Sequence, residues 1–133
     1  MTTQTSSTPA TDGLASTIQR YFDLMYDCDV SRFDEVFHPT AQLHGVVAGK
    51  LTFWPAQTYR EVLASRTPPS RANAPRFEKV LMQDMASDDQ ALVKVRVLIH
   101  DREFVDHLCL LMIDGDWRIT AKTFHLDREG ATA

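Results

Sequence analysis

From Leu14 onward, apolar residues recur every three or four positions, at Ile18, Tyr21, Phe22 and Met25. That is the repeat of an amphipathic helix with one face turned to a core. Thr11 or Asp12 is suited to cap it, which predicts a helix from about Gly13 to Asp27. After Asp27-Cys28-Asp29, Ser31 can cap a second, short helix carrying Phe33, Val36 and Phe37. Pro39 ends that helix, because the residue before a proline is pushed out of helical backbone. Ala41 to Val47 alternates as a first strand, with bends at Gly45 and Gly49. Pro55 suits the first turn of a third helix whose apolar face is Tyr59, Val62 and Leu63. Arg66–Pro75 has three prolines and no period. It reads as a long loop, of a length found over openings or at subunit contacts.

The remaining half alternates as β-structure, in strands Phe77–Met85, Ala91–Ile99, Phe104–Ile113 and Trp117–His125. Turn signals separate them at Asp88-Asp89, Asp101-Arg102 and Asp114-Gly115. The last is the strongest, since Asp-Gly supplies the positive φ angles of a type I′ hairpin. Three N-terminal helices followed by a meander of strands predict an α+β fold, the helices covering one face of a curved, mostly antiparallel sheet. With two-residue loops at Asp101-Arg102 and Asp114-Gly115, one face collects Val93, Val95, Val97, Ile99, Leu108, Leu110, Met112, Trp117 and Ile119. A one-residue slip would scatter that set.

The same register puts one polar cluster on the apolar face: Asp106, Thr123 and His125. Asp106 and His125 become diagonal neighbours, within reach of long side chains. Two readings stay open. The cluster is a hydrogen-bonded polar rim, or it faces a ligand, with Asp106 orienting His125 as a general base. The opposite face carries Arg96, His107 and Lys122 in a row, interrupted by Leu98, Val105, Leu111 and Phe124. So much apolar surface among the cations predicts a two-fold homodimer contact, with an anion-binding strip as the alternative.

Composition narrows the classes. The 133 residues suffice for one domain, expected over residues 13–127 between a flexible Ser/Thr-rich tail at 1–12 and a short tail at 128–133. Fourteen Lys+Arg against 18 Asp+Glu give a net charge of −4, which argues against a nucleic-acid surface. No apolar run approaches a membrane span, and the N-terminal stretch is not a secretory signal, so a cytoplasmic protein is expected. Cys28 and Cys109 form no disulfide framework. His38 and His44 lack a convincing third ligand, so no metal site is expected. Without a phosphate-binding loop or a nucleophile elbow, no cofactor is expected either. Tyr21, Trp54, Tyr59 and Trp117 are core aromatics or the walls of a pocket.

Two stretches carry a family likeness: RYFDLMYDCDVSRFDEVFHPTAQLHG (Arg20–Gly45) and DHLCLLMIDGDWRITAKTFH (Asp106–His125). With them the chain resembles the nuclear transport factor 2-like superfamily over roughly Leu14 to Asp127. The wording of the second stretch is similar to the branch named putative lumazine-binding proteins. The resemblance implies an α+β cone, a dimer and a pocket of unassigned use. Against the ketosteroid isomerases of the superfamily, Tyr21 matches the oxyanion-hole tyrosine, but Gly45 stands where the catalytic aspartate belongs.

The function expected is therefore a dimeric protein binding a small hydrophobic or aromatic ligand at Tyr21, Trp54, Tyr59, Asp106, Trp117, Thr123 and His125. Alternatives are an acid–base enzyme of isomerase, dehydratase or cyclase type, with His125 as base, Asp106 as its orienter and Tyr21 as donor, or a protein-interaction module.

Overall fold

The helical repeat from Leu14 becomes helix α1, which runs from Pro9 to Asp27 in a computed structural model that describes residues 9–130. Thr11 and Asp12 thus lie inside the helix rather than capping it. Residues 1–8 of the expected N-terminal tail, and 131–133 of the C-terminal one, fall outside the described residues. A 3₁₀ helix, Val30–Glu35, follows. Its cap is Asp29 rather than Ser31: the Asp29 side chain accepts from the backbone N–H of Ser31 at 3.2 Å. Phe37 has left this helix and opens strand β1, Phe37–Val47, through which Pro39 passes.

A strand unexpected from the sequence comes next. Ala48 and Gly49, with φ of 51° and 77°, turn the chain back into β2, Lys50–Pro55. Positive φ at both turn residues is the primed-hairpin geometry that matches strand twist. Pro55 ends this strand and stands just before helix α2, Ala56–Ser65. The stretch after it is irregular, as its prolines require, and is pinned along α1. Ser70 N–H donates to the Tyr26 carbonyl at 3.0 Å, and the Tyr26 hydroxyl donates to the Ala74 carbonyl at 2.8 Å.

Strands β3 (Glu78–Ser87), β4 (Gln90–Ile99), β5 (Arg102–Ile113) and β6 (Asp116–Glu129) form the meander. The sheet order is β2-β1-β6-β5-β4-β3, antiparallel throughout except for the parallel β1–β6 pair. The helices cover one face. There Val93, Val95, Val97, Leu108, Leu110, Trp117 and Ile119 are buried with Leu14, Tyr21 and Met25 of α1. None of the described helices is long and apolar enough to cross a membrane.

Two departures from the expected register matter. The β4–β5 turn is His100-Asp101, so Ile99 pairs with Arg102 and Val95 with Asp106. This differs from the expected pairing by two residues, which leaves every side chain on its expected face. The β5–β6 hairpin begins as expected, from Ile113↔Asp116 to Leu110↔Ile119. The next pair is Cys109↔Ala121: a β-bulge at Thr120 sets two residues of β6 against one of β5. Beyond it the faces of β6 exchange.

Candidate functional site

That bulge decides which groups meet. Trp117 and Ile119 point to the helices before it, and Lys122 and Phe124 do so after it. Thr123 and His125 are turned to the exposed face. The expected Asp106–Thr123–His125 cluster therefore does not form. The His125 imidazole is 70% exposed and its nearest carboxylate is Asp127, at 3.9 Å. Lys122, expected in a row with Arg96 and His107 on the outer face, is buried instead.

Around Lys122 a polar group is built from four elements. The Tyr21 hydroxyl, from α1, donates to Oδ2 of Asp106 on β5 at 2.5 Å. The Lys122 ammonium, from β6, lies 3.8 Å from the same oxygen and donates to the Tyr59 hydroxyl, from α2, at 3.2 Å. The Tyr59 hydroxyl in turn donates to the Met25 sulfur at 3.4 Å. Lys122 Nζ also sits 5.0 Å from the ring centroids of both Tyr21 and Tyr59, so two π faces share its charge. The other carboxylate oxygen, Oδ1 of Asp106, is buried and has no hydrogen-bond partner among the described residues.

Asp106 and Lys122 form the polar wall of a cavity of about 220 Å³. The rest of the lining includes Val47, Thr52 and Trp54 from the β1–β2 hairpin, Ile99, Phe104 and Phe124 from the sheet, and Tyr59. Trp54 stacks between Tyr59 (5.5 Å, 21°) and Phe124 (5.6 Å, 14°). Arg66 and Arg102 are the remaining lining residues. Of the aromatic residues expected as walls, Trp54 and Tyr59 take that place. Tyr21 lies behind Asp106 as its donor. Trp117 does not line the cavity: it packs under α1, where a Cβ on Gly13 would sit 3.2 Å from its ring, and the Thr17 hydroxyl donates to its carbonyl at 3.2 Å.

Burial, and after it the charge of Asp106, push the Tyr21 phenol well above the ordinary tyrosine range. A phenol held protonated in the fold binds its proton more tightly than in the unfolded chain. Its contribution is whole below the unfolded value of about 10 and is lost as pH rises beyond it. Stability is therefore expected to fall above pH ~10, and Tyr21→Phe to flatten that decline. Urea midpoints between pH 8 and 11 read this out; equal alkaline slopes in both proteins would contradict it.

The family model described as "Putative lumazine-binding" matches residues 9–125. The chain belongs to this family. Members of the wider nuclear transport factor 2-like superfamily share its architecture. An NTF2-like protein of unknown function from Shewanella baltica superposes with a TM-score of 0.81 at 20% identity, covering 95% of this chain and 100% of that one. Another, from Methylobacillus flagellatus, gives 0.78 at 24% identity, over 92% and 95% of the two chains. A third, from Silicibacter pomeroyi, gives 0.78 at 20%, over 88% and 95%. No curated protein matches the sequence. Likeness at these identities establishes the fold and leaves chemistry to the site itself.

Within this lumazine-binding family fold, Gly45 has a specific task. It pairs with Phe124 across the parallel β1–β6 ladder, and a Cβ there would lie 2.4 Å from the Phe124 ring. The position matching the isomerase base is thus occupied by the flank of an aromatic wall.

Proposed function

We propose that this protein binds a small hydrophobic or aromatic molecule in the cavity between α2, the β1–β2 hairpin and the sheet. One observation carries the reading: stacked aromatic side chains enclose a space that ends on buried polar groups. Apolar walls with a few converging polar groups are the usual construction of a ligand pocket. The size is suitable, since an apolar cavity of ~150 Å³ accepts benzene, and this one measures about 220 Å³. Calorimetric titration with one- and two-ring aromatics is expected to give saturable binding. Trp54→Ala should weaken it roughly three- to tenfold through lost stacking. Absence of binding across such a panel would refute the reading.

The acid–base alternative loses His125 as its base, because that imidazole is on the far side of the sheet. The interaction-module alternative loses Lys122 from its surface. What the outer face keeps, besides Arg96 and His107, is an apolar patch on the β1–β2 hairpin: Val46 and Leu51, paired across it, are 64% and 70% exposed, with Phe53 on the same face. A second copy of the chain covering this strip is the homodimer we propose, since exposed apolar strips of this kind mark association surfaces. Sedimentation should then find a dimer that Phe53→Glu dissociates, and a monomeric wild-type protein at high concentration would refute it.

A further inference from the structure

We infer that the cavity selects an aromatic anion carrying a hydrogen-bond donor: the donor meets Oδ1 of Asp106 and the anionic group meets Arg66 and Arg102. The inference rests on the ligand-binding reading above and specifies its chemistry. Asp106 is 1% exposed, and Oδ2 already receives Tyr21 and faces Lys122. Oδ1 has no hydrogen-bond partner among the described residues, although the residue lines the cavity. A buried acceptor left unpaired is costly, and a ligand N–H or O–H placed there removes that cost on binding.

The two arginines supply the second half. Among the described residues the Arg66 side chain makes no ion pair; its guanidinium lies 5.8 Å from the Tyr59 ring centroid. Among the described residues Arg102 has one loose ion-pair partner, Glu129 at 3.9 Å, both side chains being exposed, and its guanidinium lies 5.4 Å from the Phe104 ring centroid. Such exposed pairs hold little energy. With Lys122 engaged by Asp106, these two guanidiniums leave the lining with a net charge of +2, in a fork geometry suited to carboxylates. Trp54, Phe124 and Phe104 supply the aromatic wall against which a planar ring packs.

Three probes that differ by one group test this by calorimetry. Indole-3-acetate has ring, N–H and carboxylate; 1-benzofuran-3-acetate replaces the N–H by oxygen; indole lacks the carboxylate. The first is expected to bind roughly tenfold more tightly than the benzofuran, as for a hydrogen bond to a charged group. Its advantage over indole should be about fivefold and shrink with salt. In Asp106→Asn, Tyr21 and Lys122 hold the amide oxygen, the NH₂ faces the ligand, and the preference for N–H disappears. In the double variant Arg66→Gln/Arg102→Gln the carboxylate preference disappears, so that indole-3-acetate and indole bind with the same affinity. Equal affinities for all three probes, or preferences that survive in the variants, would overturn the inference and leave the apolar-ligand reading standing. Binding of none would overturn both.

Discussion

Asp106→Ala is expected to destabilise the fold by about 3–5 kcal/mol, the usual cost of removing one partner from a buried ion pair. Lys122 and Asp106 expose only 5% and 2% of their side chains. Without the carboxylate, the ammonium keeps the Tyr59 hydroxyl and two aromatic faces, which do not neutralise its charge. The Tyr21 hydroxyl loses its acceptor in the same step. The pair need not be a net stabiliser for this result: buried pairs replaced together by apolar residues of similar volume are often neutral or better. Asp106→Leu/Lys122→Met is accordingly expected to recover most of the loss. Urea unfolding of the wild type, Asp106→Leu, Lys122→Met and the double variant completes the cycle. A single-variant cost below about 1 kcal/mol, or a double variant no better than the singles, would show that the charges are not coupled. The contrast carries a functional consequence. If apolar replacements hold the fold equally well, what the pair supplies is the polar wall of the cavity, not stability.

The sequence revealed some of this arrangement and concealed the rest for identifiable reasons. Leu14, Ile18, Tyr21, Phe22 and Met25 announce α1 because the period of a one-sided helix survives many substitutions. Asp114-Gly115 fixed the last hairpin because positive φ narrows the choice of residues, and both take it, at 52° and 86°. His100 also adopts positive φ, at 58°, but histidine is not one of the usual turn-forming residues and gave no such sign. The turn consequently sits one residue earlier than Asp101-Arg102 suggests. Strand β2 was hidden because six residues ending in Pro55 look like the approach to a helix. The bulge at Thr120 was the costly omission, since one extra residue exchanges the faces of everything after it. Its trace is present all the same. The large apolar residues of β6 are Trp117 and Ile119 on one parity, then Phe124 and Leu126 on the other. A change of phase within one strand is the sequence sign of a bulge, and it would have brought Lys122 inward beside Asp106.

The same phase change explains why Gly45 is expected to be intolerant of even a methyl group. On β6, Phe124 reaches the inner face only because of the bulge, and its ring then crosses β1 at Gly45. A Cβ at residue 45 would approach three atoms of that ring at 2.4, 2.6 and 2.7 Å. These distances lie inside van der Waals contact, so the ring must move. On one side it meets Trp54, stacked at 5.6 Å; elsewhere the open space is the cavity it lines. Gly45→Ala is therefore expected to cost roughly 1–3 kcal/mol, the range for overpacking, and to drive the Phe124 ring into the ligand space. Aromatic binding should fall by more than tenfold, the equivalent of about 1.4 kcal/mol. Phe124→Ala removes the obstacle, so adding Gly45→Ala to it should cost far less than in the wild type. That non-additivity is the decisive measurement, because a methyl group that merely weakened β1 would cost the same in either background.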